Sequence, residues 1–291
     1  MVAAEAIRHN PRPGPSVFNL LLTMASKSPI TVTELSAMKA RGERICCLTV
    51  YDYSFAHMLD RAGVEILLVG DSLGMVIQGH PTTLPVSLDD AVYHTQCVAR
   101  GCENALLIAD MPFGSFQGDP QSAFDSAARL MGEGQAHMVK IEGGAVMAET
   151  VAFLVDRGVP VCGHLGLTPK SVNQLGGFRV QGRQESVADR LRQDAQSLQN
   201  AGASVLVLEA VPSGLAKEIT QSLTIPTIGI GAGPDTDGQV LVLYDLLGIY
   251  PQKSPKFSKN FLDGAGSVSG AVRAFIEDVR SGQFPGPEHS F

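Results

Sequence analysis

Residues 66–75 read Ile-Leu-Leu-Val-Gly-Asp-Ser-Leu-Gly-Met, and this stretch carries the pattern that decides the fold. Four apolar residues run without a polar interruption into a glycine and an aspartate. A strand that is apolar at every position is buried on both faces, which is typical of parallel sheets covered by helices. The stretch therefore predicts an inner strand whose carboxyl end carries an acid, Asp71.

Seven other short apolar runs along the chain have the same character. In chain order, the eight predicted strands are ICCLTV (45–50), EILLVG (65–70), ALLIAD (105–110), HMVKIE (137–142), VPVCGH (159–164), SVLVLE (204–209), IPTIGI (225–230) and VLVLYD (240–245). Segments with helical character separate most of them, several with Ser or Asp at the start and Gly just after the end. The predicted helices are Ser87–Arg100, Ala123–Met131, Ala145–Asp156, Ser186–Asn200, Ser213–Ser222 and Ser267–Arg280.

The alternation of buried strands with helical crossovers predicts an α/β fold with a parallel sheet. Eight strands of this kind favour a (β/α)₈ TIM barrel, and an open doubly wound sheet is the structural alternative. The link between the seventh and eighth runs is too short for a full helix, so that unit is expected to be irregular.

The composition limits the class of protein. The chain has 291 residues, of which 44% are hydrophobic and 18% charged, so it can bury a substantial core. We predict a poorly structured N-terminal extension over residues 1–28 and a single (β/α)₈ barrel catalytic domain over residues 29–291. The net charge of −7 argues against nucleic-acid binding. No apolar run reaches the length of about 18 residues that predicts a membrane span.

The cysteines and the N-terminal residues bear on the compartment. The five cysteines include no Cys-x-x-Cys pair, which argues against structural zinc and against a disulfide framework. These features favour a cytoplasmic location. An organelle-targeting role for residues 1–28 stays open, because Arg8, Arg12 and Lys27 outnumber the single acid Glu5.

Polar residues fall at the carboxyl ends of six successive predicted strands, where barrel enzymes carry their active sites. In chain order these residues are Asp52, Asp71, Asp110, Lys140 with Glu142, His164 and Glu209. Carboxylates that converge on one mouth repel one another, and a divalent cation relieves that repulsion. Asp71, Asp110 and Glu142 offer an all-oxygen ligand set suited to Mg²⁺ or Mn²⁺. The alternative for each acid is that it caps the next helix or pairs with an arginine.

Three other features of the sequence admit more than one interpretation. Lys140 can form a Schiff base or, with Glu142 beside it, bind an anionic substrate as a charged group. His164 can polarise a carbonyl group, bind a carboxylate or serve a structural role. The glycine-rich segment 229–233 resembles a phosphate-binding loop but lacks the G-x-G-x-x-G spacing, so a tight turn is at least as good an interpretation.

Ser72 lies in a Gly-Asp-Ser-Leu sequence, which is the signature of a known esterase family. Such an enzyme needs a late Asp-x-x-His pair to activate the serine. The only late histidine is His289, and the residue three positions before it is Gly286. A serine without a base is a weak nucleophile, so the sequence argues against a hydrolase.

Taken together, the ordered motifs resemble the 3-methyl-2-oxobutanoate hydroxymethyltransferase family, also called ketopantoate hydroxymethyltransferase. The resemblance covers about residues 30–291, and its motifs are TVYDYSF (49–55), LVGDSLGMVIQGH (68–80), YHT (93–95), VKIEGG (139–144), VCGHLGLTP (161–169), VQGR (180–183), LVLE (206–209), IGIGAGPDTDGQ (228–239), PKFSKNF (255–261) and EHSF (288–291).

The resemblance implies a (β/α)₈ barrel of the phosphoenolpyruvate/pyruvate type. It implies transfer of a hydroxymethyl group from 5,10-methylenetetrahydrofolate to 3-methyl-2-oxobutanoate through a Mg²⁺-stabilised enolate, giving 2-dehydropantoate. This reaction is the first committed step of pantothenate and coenzyme A biosynthesis. Family members assemble as homo-oligomers, often decamers, and the resemblance implies a homodecamer here.

The resemblance also implies roles for individual residues. The implied Mg²⁺ ligands are Asp71, Asp110 and Glu142. The implied contacts to the 2-oxo acid are Asp71, Ser72, Asp110 and Lys140, with His164 in the motif at the substrate pocket. Glu209 matches the proton acceptor of the family.

The chain departs from the family pattern in three places: the extension over residues 1–28, a slightly longer loop at Gly114–Asp119, and the segment Tyr250–Ser254. These departures touch the folate side and the oligomer surface. Two other functions remain open, namely a metal-dependent lyase or aldolase of the same barrel class and a non-catalytic binding protein. Dependence of product formation on methylenetetrahydrofolate separates the transferase from the lyase or aldolase. The presence of Asp71, Asp110, Glu142 and Glu209 argues against a non-catalytic protein.

Overall fold

The computed structural model of the chain describes residues 29–291, and the extension predicted for residues 1–28 lies outside the described residues. Eight parallel strands close into a barrel in which each strand pairs with its neighbours in chain order and β8 pairs with β1. The strands are β1 (Ile45–Thr49), β2 (Ile66–Val69), β3 (Leu106–Asp110), β4 (Met138–Glu142), β5 (Val161–Gly166), β6 (Val205–Glu209), β7 (Thr227–Ile230) and β8 (Gly238–Leu241). The predicted (β/α)₈ barrel is confirmed.

Helices connect the strands and surround the barrel. They are α1 (Val32–Arg41), α2 (Tyr53–Ala62), α3 (Leu73–Val76), α4 (Leu88–Ala99), α5 (Pro120–Gly132), α6 (Ala148–Val155), α7 (Val172–Leu175), α8 (Glu185–Asn200), α9 (Ser213–Ser222), α10 (Leu243–Leu246) and α11 (Val268–Ser281). Each of the six predicted helices has a counterpart here. Helix α5 begins three residues before the predicted Ala123, because Asp119 caps it and Pro120 occupies its first position.

The eighth predicted strand is partly wrong. The run VLVLYD (240–245) was expected to be extended throughout, but β8 ends at Leu241 and α10 begins at Leu243. The backbone N–H of Leu243 donates to Thr49 Oγ1 at 3.0 Å and not to a neighbouring strand. A short apolar run is compatible with a buried strand and with a buried helical turn, and its periodicity does not separate the two. The link 231–237 contains no helix, in agreement with the expected irregular unit.

The burial pattern explains why the strands lack polar alternation. Along β1, Cys47 faces the barrel interior, where it belongs to the same buried cluster as Leu68 of β2. The alternate residues Cys46 and Leu48 face outward into a second buried cluster, which they share with the surrounding helices. Both faces of the strand are therefore covered, as the continuous apolar runs predicted.

One end of the barrel is closed by α1. Leu35 and Met38 of this helix belong to the interior cluster of the barrel. Lys39 Nζ donates to Asp237 Oδ2 at 2.9 Å and to the carbonyl of Ile225 at 2.9 Å, which joins α1 to the amino-terminal ends of β7 and β8. The opposite, carboxyl-terminal end stays accessible and carries the polar residues. Within residues 29–291, no helix has the length and apolar character needed to cross a bilayer.

Candidate active site

Three acids converge at the carboxyl ends of β2, β3 and β4. Asp71, Asp110 and Glu142 are each at least nine-tenths buried, and one oxygen atom from each lies within 4.8 Å of the others. The parallel register places Asp110 beside Lys140 and Glu142 beside His164. The structure therefore brings together the residues that the sequence predicted as metal ligands.

Two buried lysines offset part of the negative charge of these acids. Lys140 Nζ donates to Asp110 Oδ2 across the β3–β4 pair. Lys170 Nζ lies 3.0 Å from Asp71 Oδ2, 2.9 Å from Asp110 Oδ1 and 3.0 Å from Glu142 Oε1. These five residues form the carboxylate cluster, in which three negative and two positive charges share a buried space.

Lys170 is a site residue that the sequence analysis missed. It lies on a short 3₁₀ turn, Pro169–Ser171, beyond the end of β5, and its backbone N–H donates to Glu142 Oε2 at 3.0 Å. The sequence pattern points to polar residues at the strand ends, and Lys170 lies several residues beyond the end of β5. The Thr168-Pro169 turn was the available signal, because a turn directly after a barrel strand directs the next side chains towards the mouth.

The charges in the cluster determine its ionisation. Burial raises the pKa of Asp71 to about 6, against the attraction of the Lys170 ammonium. Burial alone would also raise the pKa of Asp110, but the charges of Lys140 and Lys170 outweigh it and hold that pKa below its ordinary value. The pKa of Lys170 is raised well above its ordinary value, since the attraction of the three acids outweighs the effect of burial. The cluster is therefore an ionised network.

The donor set of the cluster fits a divalent cation. Its ligand atoms are carboxylate oxygens, which Mg²⁺ and Mn²⁺ prefer. The Lys170 ammonium contacts one oxygen of each acid, so the point where the three acids converge holds a positive charge in this structure. A metal ion and Lys170 Nζ cannot share that point. Metal binding by Asp71, Asp110 and Glu142 therefore requires the Lys170 side chain to move away.

His164 lies between the carboxylate cluster and Glu209. Its Nδ1 is 3.4 Å from Glu142 Oε1, and its Nε2 is 3.1 Å from Glu209 Oε2. Neither contact has hydrogen-bond geometry, and the ring is almost completely buried. Burial and the Lys140 charge lower the pKa of His164, but Glu142 and Glu209 outweigh them and raise it above its ordinary value. His164 therefore lies between one of the predicted metal ligands, Glu142, and the predicted base, Glu209.

The backbone at the end of β6 holds Glu209 at the mouth. Gly166 of β5 pairs with Glu209 and has a φ of +93°, and a Cβ atom there would lie 2.2 Å from the Glu209 carbonyl oxygen. The residue that follows β6, Ala210, has a φ of +47°, which is unusual for a residue with a side chain. Only glycine at position 166 allows this close approach. The Glu209 side chain is partly accessible, in contrast to the buried cluster acids.

Ser72 belongs to a chain of hydroxyl groups at the mouth. Its Oγ lies 2.8 Å from the hydroxyl of Tyr51, which donates to Thr49 Oγ1 at 2.8 Å. Thr49 Oγ1 in turn accepts from the backbone N–H of Leu243 at 3.0 Å. The partner of Ser72 is thus a tyrosine and not the histidine base that a serine hydrolase requires. This geometry agrees with the sequence argument against a hydrolase.

Asp52 has a different role from the other strand-end acids. Its side chain caps α2 by accepting from the backbone N–H of Phe55 at 3.0 Å, and it does not join the carboxylate cluster. Asp52→Ala should therefore lower the free energy of unfolding by about 1 kcal/mol, because one N–H at the helix start loses its partner. Urea unfolding measures this change. A large loss of turnover with unchanged stability would contradict the capping role.

The glycine-rich segment 229–233 forms a tight turn. Gly231 and Gly233 have φ values of +60° and +78°. A Cβ atom at Gly231 would lie 2.9 Å from the ring of Phe257 and 3.0 Å from that of Phe291. The glycine therefore makes room for two aromatic rings, which favours the turn interpretation over a phosphate-binding loop.

A cavity of about 1010 Å³ opens above the carboxylate cluster and Glu209. The cluster acids, Lys140, His164 and Ser72 line its floor, while residues 178–180, residues 250–257 and Phe291 form much of its outer wall. Pocket volumes of about 300–1,000 Å³ are typical of sites for drug-sized ligands. The cavity therefore has room for more than one small molecule.

Comparison with known proteins gives the family of the chain. The family model described as ketopantoate hydroxymethyltransferase matches residues 29–287. A 3-methyl-2-oxobutanoate hydroxymethyltransferase of Thiobacillus denitrificans is 60% identical over 90% of this chain and 100% of its own length. The enzyme of that name from Magnetococcus marinus is 55% identical over 91% of this chain and 99% of its own length.

Solved structures of low sequence identity share the fold. Phosphonopyruvate hydrolase in complex with oxalate and Mg²⁺ is 13% identical, with a TM-score of 0.56 over 89% of this chain and 92% of its own. 2,3-Dimethylmalate lyase, a member of the PEP mutase/isocitrate lyase superfamily, is 18% identical, with a TM-score of 0.54 over 75% of this chain and 82% of its own. Together with the sequence matches over nearly all of the described residues, the barrel and its mouth assign this chain to the ketopantoate hydroxymethyltransferase family of enzymes.

Proposed function

We propose that the chain transfers a hydroxymethyl group from 5,10-methylenetetrahydrofolate to C3 of 3-methyl-2-oxobutanoate, giving 2-dehydropantoate. The names of the relatives support 3-methyl-2-oxobutanoate as the acceptor of the hydroxymethyl group, because these relatives are 54–60% identical to this chain. The observation that carries the chemistry is the position of Glu209 opposite the carboxylate cluster, with His164 between them. Enolate formation needs a base on one side of the substrate and, on the other, cationic groups that stabilise the negative charge on the keto oxygen.

The floor of the cavity binds the 2-oxo acid as an anion. Lys140 is buried and held by Asp110, so its charge has a fixed position next to the cavity. In a buried site, a fixed charge stabilises a bound anion more than it does in water. Ser72 contributes a hydroxyl group whose orientation is set by Tyr51. These groups orient the substrate with C3 towards Glu209.

Glu209 accepts the proton from C3 of the substrate. The C–H bond breaks, and its electron pair becomes the C2–C3 double bond of the enolate, with the negative charge on the keto oxygen. C3 of the enolate then forms the new carbon–carbon bond with the methylene carbon of the folate. Both C–N bonds of that carbon break, and their electron pairs go to N5 and N10, which take up the proton from Glu209 and one proton from water. Overall, one water supplies the hydroxyl oxygen, tetrahydrofolate is released, and C3 becomes fully substituted. His164, whose Nε2 is 3.1 Å from Glu209 Oε2, helps to hold the base in position.

Asp71, Asp110 and Glu142 would hold a divalent cation, for which we propose Mg²⁺, with Mn²⁺ as a substitute. When bound, such an ion supplies positive charge that stabilises the keto oxygen as the enolate forms. Lys140 stays with Asp110 and keeps one positive charge in the site. Lys170 has to leave its position between the three acids.

The proposed reaction also indicates the metabolic pathway, the compartment and the partners of the enzyme. We propose that it carries out the first committed step of pantothenate and coenzyme A biosynthesis, in the cytoplasm. The partners are then the small 2-oxo acid and the folate, together with further copies of this chain in a homo-oligomer.

One assay tests the proposed function. The purified chain is mixed with Mg²⁺, 3-methyl-2-oxobutanoate and methylenetetrahydrofolate, and dehydropantoate is measured. We expect product only when all three are present, and we expect EDTA to abolish turnover and excess Mg²⁺ to restore it. Consumption of a 2-oxo acid without folate would favour a lyase or aldolase, and binding of the 2-oxo acid without any turnover would favour a binding protein.

A further inference from the structure

Asp245 is a buried acid in the wall of the cavity for which the proposed chemistry has no use. It lies on α10, is 6% exposed, and lines the cavity together with Val242 and Tyr250. Its Oδ1 has no hydrogen-bond partner among the described residues. A buried polar atom without a partner is costly, and native proteins seldom keep one without a reason. The missing donors can be supplied by a ligand in the cavity.

The position of Asp245 is linked to the floor of the cavity. The hydroxyl chain that starts at Ser72 runs through Tyr51 and Thr49 to the backbone N–H of Leu243, the first residue of α10. The helix that carries Asp245 is therefore held in register with a residue predicted to contact the 2-oxo acid. A ligand bound to Asp245 would lie in the same cavity as the 2-oxo acid.

The size and charge of the cavity indicate the kind of ligand. A five-carbon 2-oxo acid fills only a small part of about 1010 Å³. The outer wall carries the cations Arg179, Lys253 and Lys256, which suit the anionic end of a long ligand. Asp245 lies on an inner wall, where a carboxylate suits a group with two adjacent N–H donors, because its two oxygens accept two parallel hydrogen bonds.

We propose that Asp245 binds the 2-amino-4-oxopyrimidine edge of the folate pterin, accepting from the ring N3–H and the 2-amino group. This inference rests on the proposed function, since it takes the folate as the second substrate. The glutamate end of the folate would then point to the cations of the outer wall. Asp245 is thus a specificity residue for the co-substrate and takes no part in proton abstraction. Burial, which raises its pKa to about 6, leaves the carboxylate ionised at neutral pH.

The test separates folate binding from the chemistry at C3. Asp245→Asn keeps the size of the side chain but replaces one acceptor oxygen by an N–H₂ donor. We expect the Kd of tetrahydrofolate, measured by calorimetry, to rise at least tenfold. Exchange of the C3 proton of 3-methyl-2-oxobutanoate with D₂O, followed by NMR without folate, should stay within twofold of wild type. Asp263→Asn, at an exposed acid, is the matched control and should change neither quantity.

A ligand analogue provides a second measurement on the unmodified protein. Tetrahydrofolate in which a methyl group replaces the 2-amino group should bind the wild type at least tenfold more weakly, and Asp245→Asn should weaken it little further. An unchanged Kd for tetrahydrofolate in Asp245→Asn, or equal wild-type affinity for the two folates, would overturn the assignment of Asp245. A wild-type protein that exchanges the C3 proton but binds no tetrahydrofolate would instead contradict the proposed folate donor.

Discussion

Glu209→Gln should lower turnover by about 10²–10⁴-fold, which is the usual contribution of a positioned general base. Glutamine has the size and hydrogen-bonding shape of glutamate but cannot accept the C3 proton at neutral pH. Binding of the 2-oxo acid should be little changed, because Lys140 and Ser72, and not Glu209, are proposed to hold it. The loss should therefore appear in kcat and not in KM.

The decisive measurement for Glu209 uses 3-methyl-2-oxobutanoate deuterated at C3. Wild-type protein should release the deuterium to solvent, and Glu209→Gln should release it at a rate lower by the same factor as turnover. Glu149→Gln, at an exposed glutamate on α6, is the matched control and should behave as wild type. If Glu209→Gln exchanges the deuterium at the wild-type rate, Glu209 is not the base.

Lys170→Met should destabilise the metal-free protein and strengthen metal binding. Removal of one partner from a buried ionic cluster costs about 3–5 kcal/mol, because the remaining charges lose their compensation. Lys170 is the only described residue whose cationic group contacts all three metal-site acids, so its loss leaves them with excess negative charge. Methionine has a similar length but no charge. The divalent cation then no longer has to displace an ammonium group.

Two measurements check the effect of Lys170→Met. Urea unfolding in EDTA should give a lower free energy of unfolding than wild type. Titration with Mn²⁺, followed by the EPR signal of the free ion, should give a Kd at least tenfold lower. Saturation with metal should then restore stability, since a ligand at 100 times its Kd contributes about 2.7 kcal/mol. Lys253→Met, at an exposed lysine of the mouth, is the control. Equal Mn²⁺ affinity in wild type and Lys170→Met would show that the ammonium does not compete with the metal.

The barrel was predictable because each strand is visible in the sequence as a short run of apolar residues. Apolar residues on both faces of β1 to β7 follow directly from burial inside and outside a closed parallel sheet. The prediction for the eighth run, 240–245, was wrong in its second half, because Leu243 is buried in a helical turn as it would be in a strand. Beyond β8, the backbone N–H of Leu243 donates to Thr49 Oγ1, 194 positions earlier in the chain, instead of to a neighbouring strand. No local pattern reports such a contact.

The site was predictable where its residues occupy strand ends. The carboxyl ends of β2 to β6 meet at one mouth, so Asp71, Asp110, Glu142 and Glu209 had to lie on the same side of the barrel. Asp52 had the same placement but reaches the first turn of its own helix, which is the capping alternative. For a single acid at a strand end, the sequence does not distinguish the two outcomes.

The residues that escaped prediction lie on segments that follow a strand. Lys170 is on a 3₁₀ turn beyond β5, and Asp245 is on a helical turn beyond β8. The direction of their side chains depends on how each turn packs, and not on the period of two that governs a strand. Asp245 ends an apolar run, as Asp110 does. Because the strand already ends at Leu241, Asp245 lies on a helical turn and not at a strand end, so the strand-end rule does not apply to it.

The buried thiols allow opening of the barrel to be measured by the rate of cysteine labelling. Cys46, Cys47 and Cys162 are buried free thiols in the barrel wall, and burial raises the pKa of each, that of Cys162 to about 12. Thiol reagents attack the thiolate, so these three cysteines are not labelled while the strands are paired. Cys97 on α4, which is partly accessible, reacts without strand separation. The labelling rates of Cys46 and Cys47 on β1 and of Cys162 on β5 therefore show which of these two strands separates from its neighbours first.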